Sequence, residues 1–265
     1  MKIGFLGVGN MASAIIRGIS DKIGYENIFL YDVDKSKCTE FISNGSAFVS
    51  SQSELFTGCD YVFLSVKPQQ FKDAVLSSYF INAKCTVISI MAGITVATIK
   101  SVVGDNIPII RAMPNAPMMN KLGAVGICRD SSVSDDSLNT VKELLSSVAI
   151  VKEIDEDKMS VITALSGSGP AYYYLFTKYI AEYAIEAGLD KETAELFAAQ
   201  TALGAADTMV KRPHEIDELI RIVRSPNGTT EKALISFDES NLKDVVSKAL
   251  IACEKRSDEL SEAGK

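Results

Sequence analysis

The chain has 265 residues, of which 47% are hydrophobic and 23% are charged, a composition typical of a globular protein with a substantial core. Its formal net charge of −7 argues against nucleic acid as a partner, because phosphate binding requires a basic surface. The five cysteines form no CxxC pair and His214 is the single histidine, so no metal site is predicted. We expect free thiols in a reducing, cytoplasmic compartment, and no membrane segment, because no run of about 18 apolar residues occurs.

The first part of the chain alternates short apolar runs with helix-length segments. The runs are continuously apolar, which is typical of strands buried on both faces of a parallel sheet. The predicted strands are Ile3–Leu6, Ile28–Tyr31, Tyr61–Ser65, Thr86–Ile90, Ile107–Arg111, Gly123–Cys128 and Ala149–Lys152. The predicted helices between them are Met11–Ile19, Lys35–Ser43, Gln70–Ser77 and Asp135–Ser146. This alternation predicts an α/β, Rossmann-type, doubly wound sheet over residues 1–154.

From Asp155 onward the sequence predicts helices and no strand. The predicted helices are Ala171–Ala187, Lys191–Val210, His214–Val223, Thr230–Phe237 and Leu242–Ser261. Apolar residues remain on most sides of these helices, and five helices alone would not bury so much apolar surface. The sequence therefore predicts an all-α C-terminal domain over residues 155–265 that forms a homodimer.

A glycine-rich turn follows the first predicted strand, in the stretch GFLGVGNMASAI. Gly7, Gly9 and Ala12 have the G-x-G-x-x-A spacing of dinucleotide-binding turns. In such turns the first glycine allows a tight bend, and the second allows the backbone to approach a pyrophosphate. The helix N-terminus then offers N–H groups to the phosphates. The predicted cofactor-binding residues of this turn are Gly7, Val8, Gly9, Asn10, Met11 and Ala12.

An acidic residue ends the second predicted strand, about 20 residues after the turn. In dinucleotide-binding domains, a carboxylate at this position accepts hydrogen bonds from ribose hydroxyls and repels a 2′-phosphate. Asp32 is placed for this role, which favours NADH over NADPH. Lys35 and Lys37 follow closely and are able to neutralise a phosphate, so both cofactors stay open.

Two later strand ends carry further candidate cofactor residues, because ligands of such sheets bind beyond the carboxyl ends of the strands. The loop after the Tyr61–Ser65 strand contributes Ser65, Val66, Lys67 and Pro68. The loop after the Thr86–Ile90 strand contributes Ala92 and Gly93. Its glycine allows the backbone to approach a nicotinamide ring.

The sequence lacks an obvious proton donor for the reduction of a ketone. His214 lies in the polar segment KRPHEID, which indicates a solvated helix start. Tyr174 and Lys178 have the Y-x-x-x-K spacing of short-chain dehydrogenases, but that class carries the pair in its nucleotide domain and this chain carries it in its helical part. An imine is basic enough to arrive protonated, or to take its proton from a weak donor or from water. For the reduction of a C=N bond, a site with hydroxyls and backbone donors would suffice.

Several motifs, taken together and in this order, resemble those of the Δ1-pyrroline-5-carboxylate reductase family. The motifs are GFLGVGNMASAI, LSVKPQ, MAGIT, RAMPNAP, ALSGSGPAYYYLF and VRSPNGTTEKAL, and the likeness covers essentially the whole chain. The resemblance implies hydride transfer from NADPH or NADH to the C=N bond of 1-pyrroline-5-carboxylate, giving L-proline in the last step of proline biosynthesis. A related imine or 2-oxoacid reductase, or a non-catalytic dinucleotide-binding sensor, is the alternative.

The resemblance also implies roles for individual residues. Gly228, Thr229 and Thr230 would present backbone N–H groups to the substrate carboxylate, and the Thr230 hydroxyl would be the candidate proton donor. Glu156 matches a family position near the substrate. Three residues would line the nicotinamide side, namely Met113, Pro114 and Asn115. The resemblance further implies a homodimer, often further assembled, with a decamer as the larger assembly.

Three residues depart from the family pattern. Ala116 replaces a threonine, which removes a hydrogen bond near the nicotinamide. Asn227 replaces a glycine, and asparagine tolerates a positive φ better than most residues do. Asp32 stands where many members carry neutral or phosphate-friendly residues, which works against the usual NADPH preference.

The stretch SGSGPAYYYLF is interpreted as the start of a long helix beneath the active site. Ser168 is predicted as its N-cap, and Pro170 suits the first turn. Gly167 and Gly169 permit the close approach of backbone, ligand or a partner helix. The tyrosines of the stretch are predicted to lie in the core or at the dimer interface.

Overall fold

The computed structural model describes residues 1–211 and 215–263, so the predicted role of His214 lies outside the described residues. The chain forms two compact units. The first comprises Met1–Ser168 and the chain from Cys253 onward, and the second comprises Gly169–Ala252. The predicted domain division between residues 154 and 155 differs from the limits of these units, and it stays a prediction.

An eight-stranded sheet forms the centre of the first unit. Its strands are β1 (Ile3–Leu6), β2 (Ile28–Tyr31), β3 (Ala47–Phe48), β4 (Tyr61–Leu64), β5 (Thr86–Ser89), β6 (Ile109–Met113), β7 (Gly123–Arg129) and β8 (Ala149–Glu153). Their order is β3-β2-β1-β4-β5-β6-β7-β8. The strands from β3 to β6 are parallel, whereas β7 is antiparallel to β6 and parallel to β8. The strand order reverses between β1 and β4, which confirms the doubly wound Rossmann-type sheet and places its switch point there.

Helices cover both faces of this sheet. They are α1 (Asn10–Ile23), α2 (Thr39–Ser43), α3 (Gln52–Gly58), α4 (Phe71–Ala74), α5 (Val96–Val103), α6 (Asp135–Leu145) and α7 (Met159–Ile162). A π-helical segment, Thr163–Gly167, follows α7 directly. One apolar cluster contains the buried residues of α1 and α6, and a second contains those of α3 and α5. Neighbouring strand residues belong to different clusters, as Phe5 and Leu6 do, which explains why the strands are continuously apolar.

The sequence patterns do not predict β3, α3 and α5. Strand β3 is only two residues long, too short for a periodic signal. Helix α5 has the sequence VATIKSVV, whose β-branched residues are typical of strands. Its N-terminus is nevertheless capped, because Thr95 Oγ1 accepts a hydrogen bond from the Thr98 N–H at 3.1 Å. Tertiary packing on the sheet therefore outweighs the local propensity here.

The second unit consists of helices and their connecting loops, with no strand among its described residues. Its helices are α8 (Gly169–Glu186), α9 (Lys191–Lys211), α10 (Ile216–Val223), α11 (Thr229–Glu239) and α12 (Leu242–Ala263), of which α12 continues into the first unit from Cys253 onward. Its buried apolar cluster is small and consists of Ala181, Ala194 and Ala198. Many large apolar side chains are exposed instead, among them Tyr173, Tyr183, Phe197, Val210 and Val223. In the described part of the chain, every helix is too short or too polar to cross a membrane.

Candidate active site

The glycine turn between β1 and α1 is held against the loop that follows β4. Gly7 has a φ of 91°, and a Cβ atom on it would lie 2.9 Å from the backbone carbonyl of Ser65. The Ser65 hydroxyl donates to the Gly7 carbonyl at 2.7 Å, and the Gly7 N–H donates to the Tyr31 carbonyl at 2.8 Å. Both the conformation and the close approach require glycine at position 7.

Gly9 needs a different explanation, because its φ is −82° and a Cβ atom on it would meet no protein atom within 4 Å. It is the N-cap of α1, and no side chain caps the helix there. The first turn of α1 also contains no acidic residue, so its N–H groups and the positive end of the helix dipole are uncompensated. An uncapped helix N-terminus behind a glycine turn fits a pyrophosphate, and these residues are suited to hold a dinucleotide.

Both carboxylate oxygens of Asp32 accept hydrogen bonds from backbone N–H groups. Asp32 is buried, and its Oδ2 atom accepts a hydrogen bond from the Val8 N–H at 2.8 Å. Its Oδ1 atom accepts from the Asp34 N–H at 2.8 Å and lies 3.2 Å from Lys37 Nζ. Both carboxylate oxygens therefore fix the glycine turn and the loop after β2, which is a positioning role. Direct contact between Asp32 and a ribose stays a prediction.

The loops after β4 and β5 lie on the same edge of the sheet as the glycine turn, because β1, β4 and β5 are adjacent and parallel. Lys67 is exposed at the end of the first loop, next to Pro68. Pro68 and Ala92 line a common cavity of about 170 Å³ together with Leu260. Gly93 has a φ of 72°, and a Cβ atom on it would lie 2.8 Å from Leu260 Cβ. Glycine is thus required at position 93 by its backbone conformation and by the end of α12.

Glu156 holds the N-terminus of α5, which follows the loop after β5, to the middle of β6. Its Oε1 atom accepts a hydrogen bond from the Val96 N–H at 2.7 Å, at the N-terminus of α5. The same atom lies 3.2 Å from Nη1 of Arg111, whose side chain is only 5% exposed. A buried guanidinium requires a partner, and Glu156 supplies it. The structure thus gives Glu156 a structural role, and its predicted contact with substrate stays a prediction.

Asn115 uses both ends of its side-chain amide within the protein. Oδ1 accepts from the Ala124 N–H at 2.9 Å, and Nδ2 donates to the Ser166 carbonyl at 3.1 Å. It is buried, as is Pro114, whereas Met113 is partly exposed. The segment from Met113 to Asn115 therefore packs against the π-helical segment, and its contact with the nicotinamide stays a prediction.

The predicted N-cap role of Ser168 is wrong. Ser168 has helical backbone angles, φ −88° and ψ −15°, and its N–H donates to the Thr163 carbonyl at 2.8 Å. The chain enters α8 through a π-helical segment and not through a capped break, and such segments are frequent at functional sites. A Cβ atom on Gly167 would lie 2.5 Å from the flexible end of the Met113 side chain, and one on Gly169 would meet no protein atom within 4 Å, so the close approach of backbone, ligand or a partner helix at these glycines stays a prediction. Tyr173 and Tyr174 are exposed, which excludes the core for them within one protomer.

The loop before α11 forms an uncapped helix N-terminus in the second unit. Gly228 is the N-cap of α11 and offers no side-chain acceptor. Its own N–H donates to the Ser225 carbonyl at 3.0 Å, so it is not free for a ligand. The N–H groups of Thr229 and Thr230 open the helix and have no intrahelical acceptor. These two groups lie beside the partly exposed Thr230 side chain, and their contact with a substrate carboxylate stays a prediction.

Comparison with known proteins identifies the family. A family model described as pyrroline-5-carboxylate reductase dimerisation matches residues 156–260, and one described as NADP oxidoreductase coenzyme F420-dependent matches residues 2–93. The chain is 36% identical to pyrroline-5-carboxylate reductase of Pseudomonas aeruginosa, over 98% of this chain and 97% of the relative. The chain belongs to the pyrroline-5-carboxylate reductase family.

Solved structures of pyrroline-5-carboxylate reductases have the same fold. The enzyme of Coxiella burnetii superposes with a TM-score of 0.92 at 35% identity, over 98% of each chain. The Plasmodium falciparum enzyme, solved with NADP bound, has a TM-score of 0.87 at 29% identity, over 98% of each chain. Membership of the family confirms the predicted α/β dinucleotide-binding part and the helical dimerisation part, and it identifies a nicotinamide cofactor, NADPH or NADH.

Sequence reasoning missed residues that hold the candidate loops of each unit in place. The sequence places Arg111 at a strand end and in the RAMPNAP motif, and Leu260 in a terminal helix, and neither position predicts the contacts that these side chains make. Arg224 and Glu231 flank the Gly228 loop and pair with each other. One signal was available in the sequence: Glu231 stands three residues after the N-cap glycine, which is the spacing of a capping box.

Proposed function

We propose that this chain is an NAD(P)H-dependent oxidoreductase that reduces the C=N bond of 1-pyrroline-5-carboxylate to L-proline, the last step of proline biosynthesis. The observation that carries the proposal is the uncapped N-terminus of α11, which suits a small carboxylate, in a chain that also has a dinucleotide turn. Similarity over essentially the full length to pyrroline-5-carboxylate reductases supports the same reaction.

The proposed roles follow from what each residue offers. The glycine turn from Gly7 to Ala12 binds the pyrophosphate of the cofactor, which supplies the hydride when bound. The loops Ser65–Pro68 and Ala92–Gly93 position its nicotinamide end. The N–H groups of Thr229 and Thr230 hold the carboxylate of the substrate, so that the ring nitrogen lies near the Thr230 hydroxyl.

The chemistry needs no strong acid. As a C–H bond forms at the imine carbon, the π electrons of the C=N bond move to the nitrogen, which carries or takes up one proton. The Thr230 hydroxyl donates a hydrogen bond to that nitrogen or delivers the proton, with water as the final source. A weak donor suffices, because the imine is far more basic than a ketone.

The alternatives predicted from the sequence are not favoured by the comparisons, which point to pyrroline-5-carboxylate reductases. The test is an assay of NADPH and NADH oxidation by the purified chain with 1-pyrroline-5-carboxylate, with L-proline identified by mass spectrometry. Turnover to L-proline supports the proposal. Cofactor binding without turnover would support a sensor, and turnover only with an open-chain 2-oxoacid would support the other reductase class.

We further propose a homodimer in which the helical regions interlock and complete each active site. Residues 156–260 match a dimerisation model, and the second unit exposes a groove of about 620 Å³ beside Tyr173, Tyr174 and Ala202. Light scattering after gel filtration distinguishes the dimer from a decamer. The proposal includes a domain boundary between residues 154 and 155. It also includes a cytoplasmic location for the protein.

A further inference from the structure

The loop before α11 contains a residue in an unusual conformation. Asn227 has a φ of 59°, in the left-handed region, at a position where a glycine is the usual residue of the family motif. Asparagine adopts this region more readily than most residues, but glycine does so at no steric cost. The next residue, Gly228, has a φ of −81°, outside the left-handed region, so its backbone conformation is open to any residue type. The strained position is therefore confined to Asn227.

Two charged residues hold this conformation in place. Glu231 Oε2 accepts a hydrogen bond from the Asn227 N–H at 2.8 Å. Its Oε1 atom accepts two from Arg224, at 3.0 Å from Nε and 2.8 Å from Nη2. Because Glu231 lies in the first turn of α11 and Arg224 follows α10, the pair joins the two sides of the loop.

We propose that Arg224 and Glu231 form a clamp that presets the carboxylate-binding loop and compensates for asparagine at position 227. This inference rests on the proposed function, since it assigns a substrate carboxylate to the N–H groups of Thr229 and Thr230. Both clamp residues are positioning residues, which act on the substrate through the backbone of the loop.

The charges of the clamp also matter for an anionic substrate. Glu231 alone would place a negative charge in the same helical turn that receives the carboxylate, and this would weaken binding. The two hydrogen bonds from Arg224 to Glu231 Oε1 neutralise that charge and leave Oε2 free to hold the Asn227 N–H. The clamp therefore supplies loop geometry without electrostatic repulsion.

The test compares two ring substrates that differ only in the carboxylate, 1-pyrroline-5-carboxylate and 1-pyrroline. The measured quantity is the kcat/KM for 1-pyrroline-5-carboxylate divided by the kcat/KM for 1-pyrroline. The KM for NADPH is a second readout. The variants are Glu231→Ala, Glu231→Gln, Arg224→Gln and Asn227→Gly/Glu231→Ala. The control is Arg221→Gln, which removes a more exposed arginine from its ion pair with Glu218 on α10.

We expect Glu231→Ala to lower the ratio about tenfold, the equivalent of one charge-assisted hydrogen bond. Arg224→Gln lowers it by a similar factor, because the carboxylate of Glu231 is then unneutralised. Glu231→Gln keeps an acceptor for Asn227 and stays within about threefold of the parent chain. Glycine at position 227 recovers about threefold of the loss in Glu231→Ala, because the left-handed conformation no longer needs support. The KM for NADPH and the control variant stay unchanged.

The outcomes separate the inference from the function on which it rests. A parent chain that reduces neither ring overturns the proposed function and, with it, the clamp. A parent chain that reduces 1-pyrroline-5-carboxylate, with unchanged ratios in Glu231→Ala and Arg224→Gln, overturns the clamp alone. Circular dichroism establishes that each variant is folded, and if Glu231→Ala does not fold, the contrast between Arg224→Gln and Glu231→Gln decides.

Discussion

The guanidinium of Arg111 lies 3.2 Å from Oε1 of Glu156, and that same oxygen accepts the hydrogen bond from the Val96 N–H. One carboxylate oxygen thereby connects the middle of β6 to the first residue of α5, which follows the loop that carries Ala92 and Gly93. Arg111 is almost fully buried and Glu156 is about one third exposed, so the loss of the acid leaves a cation without a partner in the interior.

Replacing Glu156 should therefore impair both stability and cofactor binding. We expect Glu156→Ala to lower the free energy of unfolding by about 2 kcal/mol, less than for a fully buried pair, because water reaches Glu156. The KM for the dinucleotide should rise, since the Ala92–Gly93 loop loses its support. Glu143→Ala, which breaks an exposed pair with Lys22, is the control. Urea titration and steady-state kinetics measure the two effects, and an unchanged cofactor KM would leave Glu156 with a purely structural role.

Gly9 offers a test of the dinucleotide turn that does not disturb the fold. Because a Cβ atom at this position meets no protein atom within 4 Å, Gly9→Ala should leave the melting temperature unchanged. The added methyl group occupies the space that a pyrophosphate needs, so the Kd for NADPH should rise about tenfold or more. Gly58→Ala, where a Cβ atom also meets no protein atom within 4 Å, is the matched control. Calorimetric titration measures the Kd for NADPH of both variants. Equal Kd values would contradict the assignment of this turn to the cofactor.

The hydrogen bonds of Asp32 predict a loss of affinity and no switch in cofactor preference. In Asp32→Asn, one of the backbone N–H groups of Val8 and Asp34 faces an amide NH₂ group instead of an oxygen. We expect the KM values for NADPH and NADH to rise together, about tenfold, with their ratio constant within about threefold. Asp60→Asn disturbs a similar bond, to the Lys2 N–H, and serves as the control. A tenfold shift of the cofactor preference towards NADPH would instead indicate that the Asp32 carboxylate contacts the ribose.

The pH dependence of stability should report the Arg224–Glu231 pair. The hydrogen bonds from Arg224 and from the Asn227 N–H hold the pKa of the Glu231 carboxyl below its ordinary value of 4.5. A depressed pKa in the folded state stabilises the fold above the ordinary pKa, and this stabilisation is lost as the pH falls through the lower value. The parent chain should melt at a higher temperature than Glu231→Gln. This difference should have its full size above pH 4.5 and should become smaller as the pH falls below that value. Glu192→Gln, in the first turn of α9, controls for the loss of one exposed acid.

The role of the Thr230 hydroxyl is separable from that of its backbone. Thr230→Ala retains the N–H group at the start of α11 and should slow reduction by about 10- to 1000-fold in kcat, with little change in the KM for substrate. Thr230→Ser keeps the hydroxyl and should retain most of the activity. Thr140→Ala, on the exposed face of α6, is the control. If Thr230→Ala kept a kcat close to that of the parent chain, the proton donor would be water and not the Thr230 hydroxyl.

The class of the fold and the location of the cofactor loops follow from local sequence. Continuously apolar runs and the G-x-G-x-x-A spacing depend on neighbouring residues, and the rule that ligands bind at strand carboxyl ends then places Ser65–Pro68 and Ala92–Gly93 beside the turn. The exposed apolar surface of the second unit was likewise predictable, because its helices contain more apolar residues than a single chain buries there. Strand β3 and the strand-like helix α5 were not, because their signals are short or contrary to the structure that forms.

Only the tertiary structure decided which polar side chains face the protein and which remain for a ligand. Asp32, Asn115 and Glu156 all have residue types that suit a ligand, yet each accepts a hydrogen bond from a backbone N–H group: Val8, Ala124 and Val96, respectively. These donors lie 24, 9 and 60 residues away along the chain, so no local pattern brings them together. A buried carboxylate or amide turns towards whichever donor folding leaves unpaired nearby, because an unsatisfied polar group in the interior costs more free energy than one exposed to solvent.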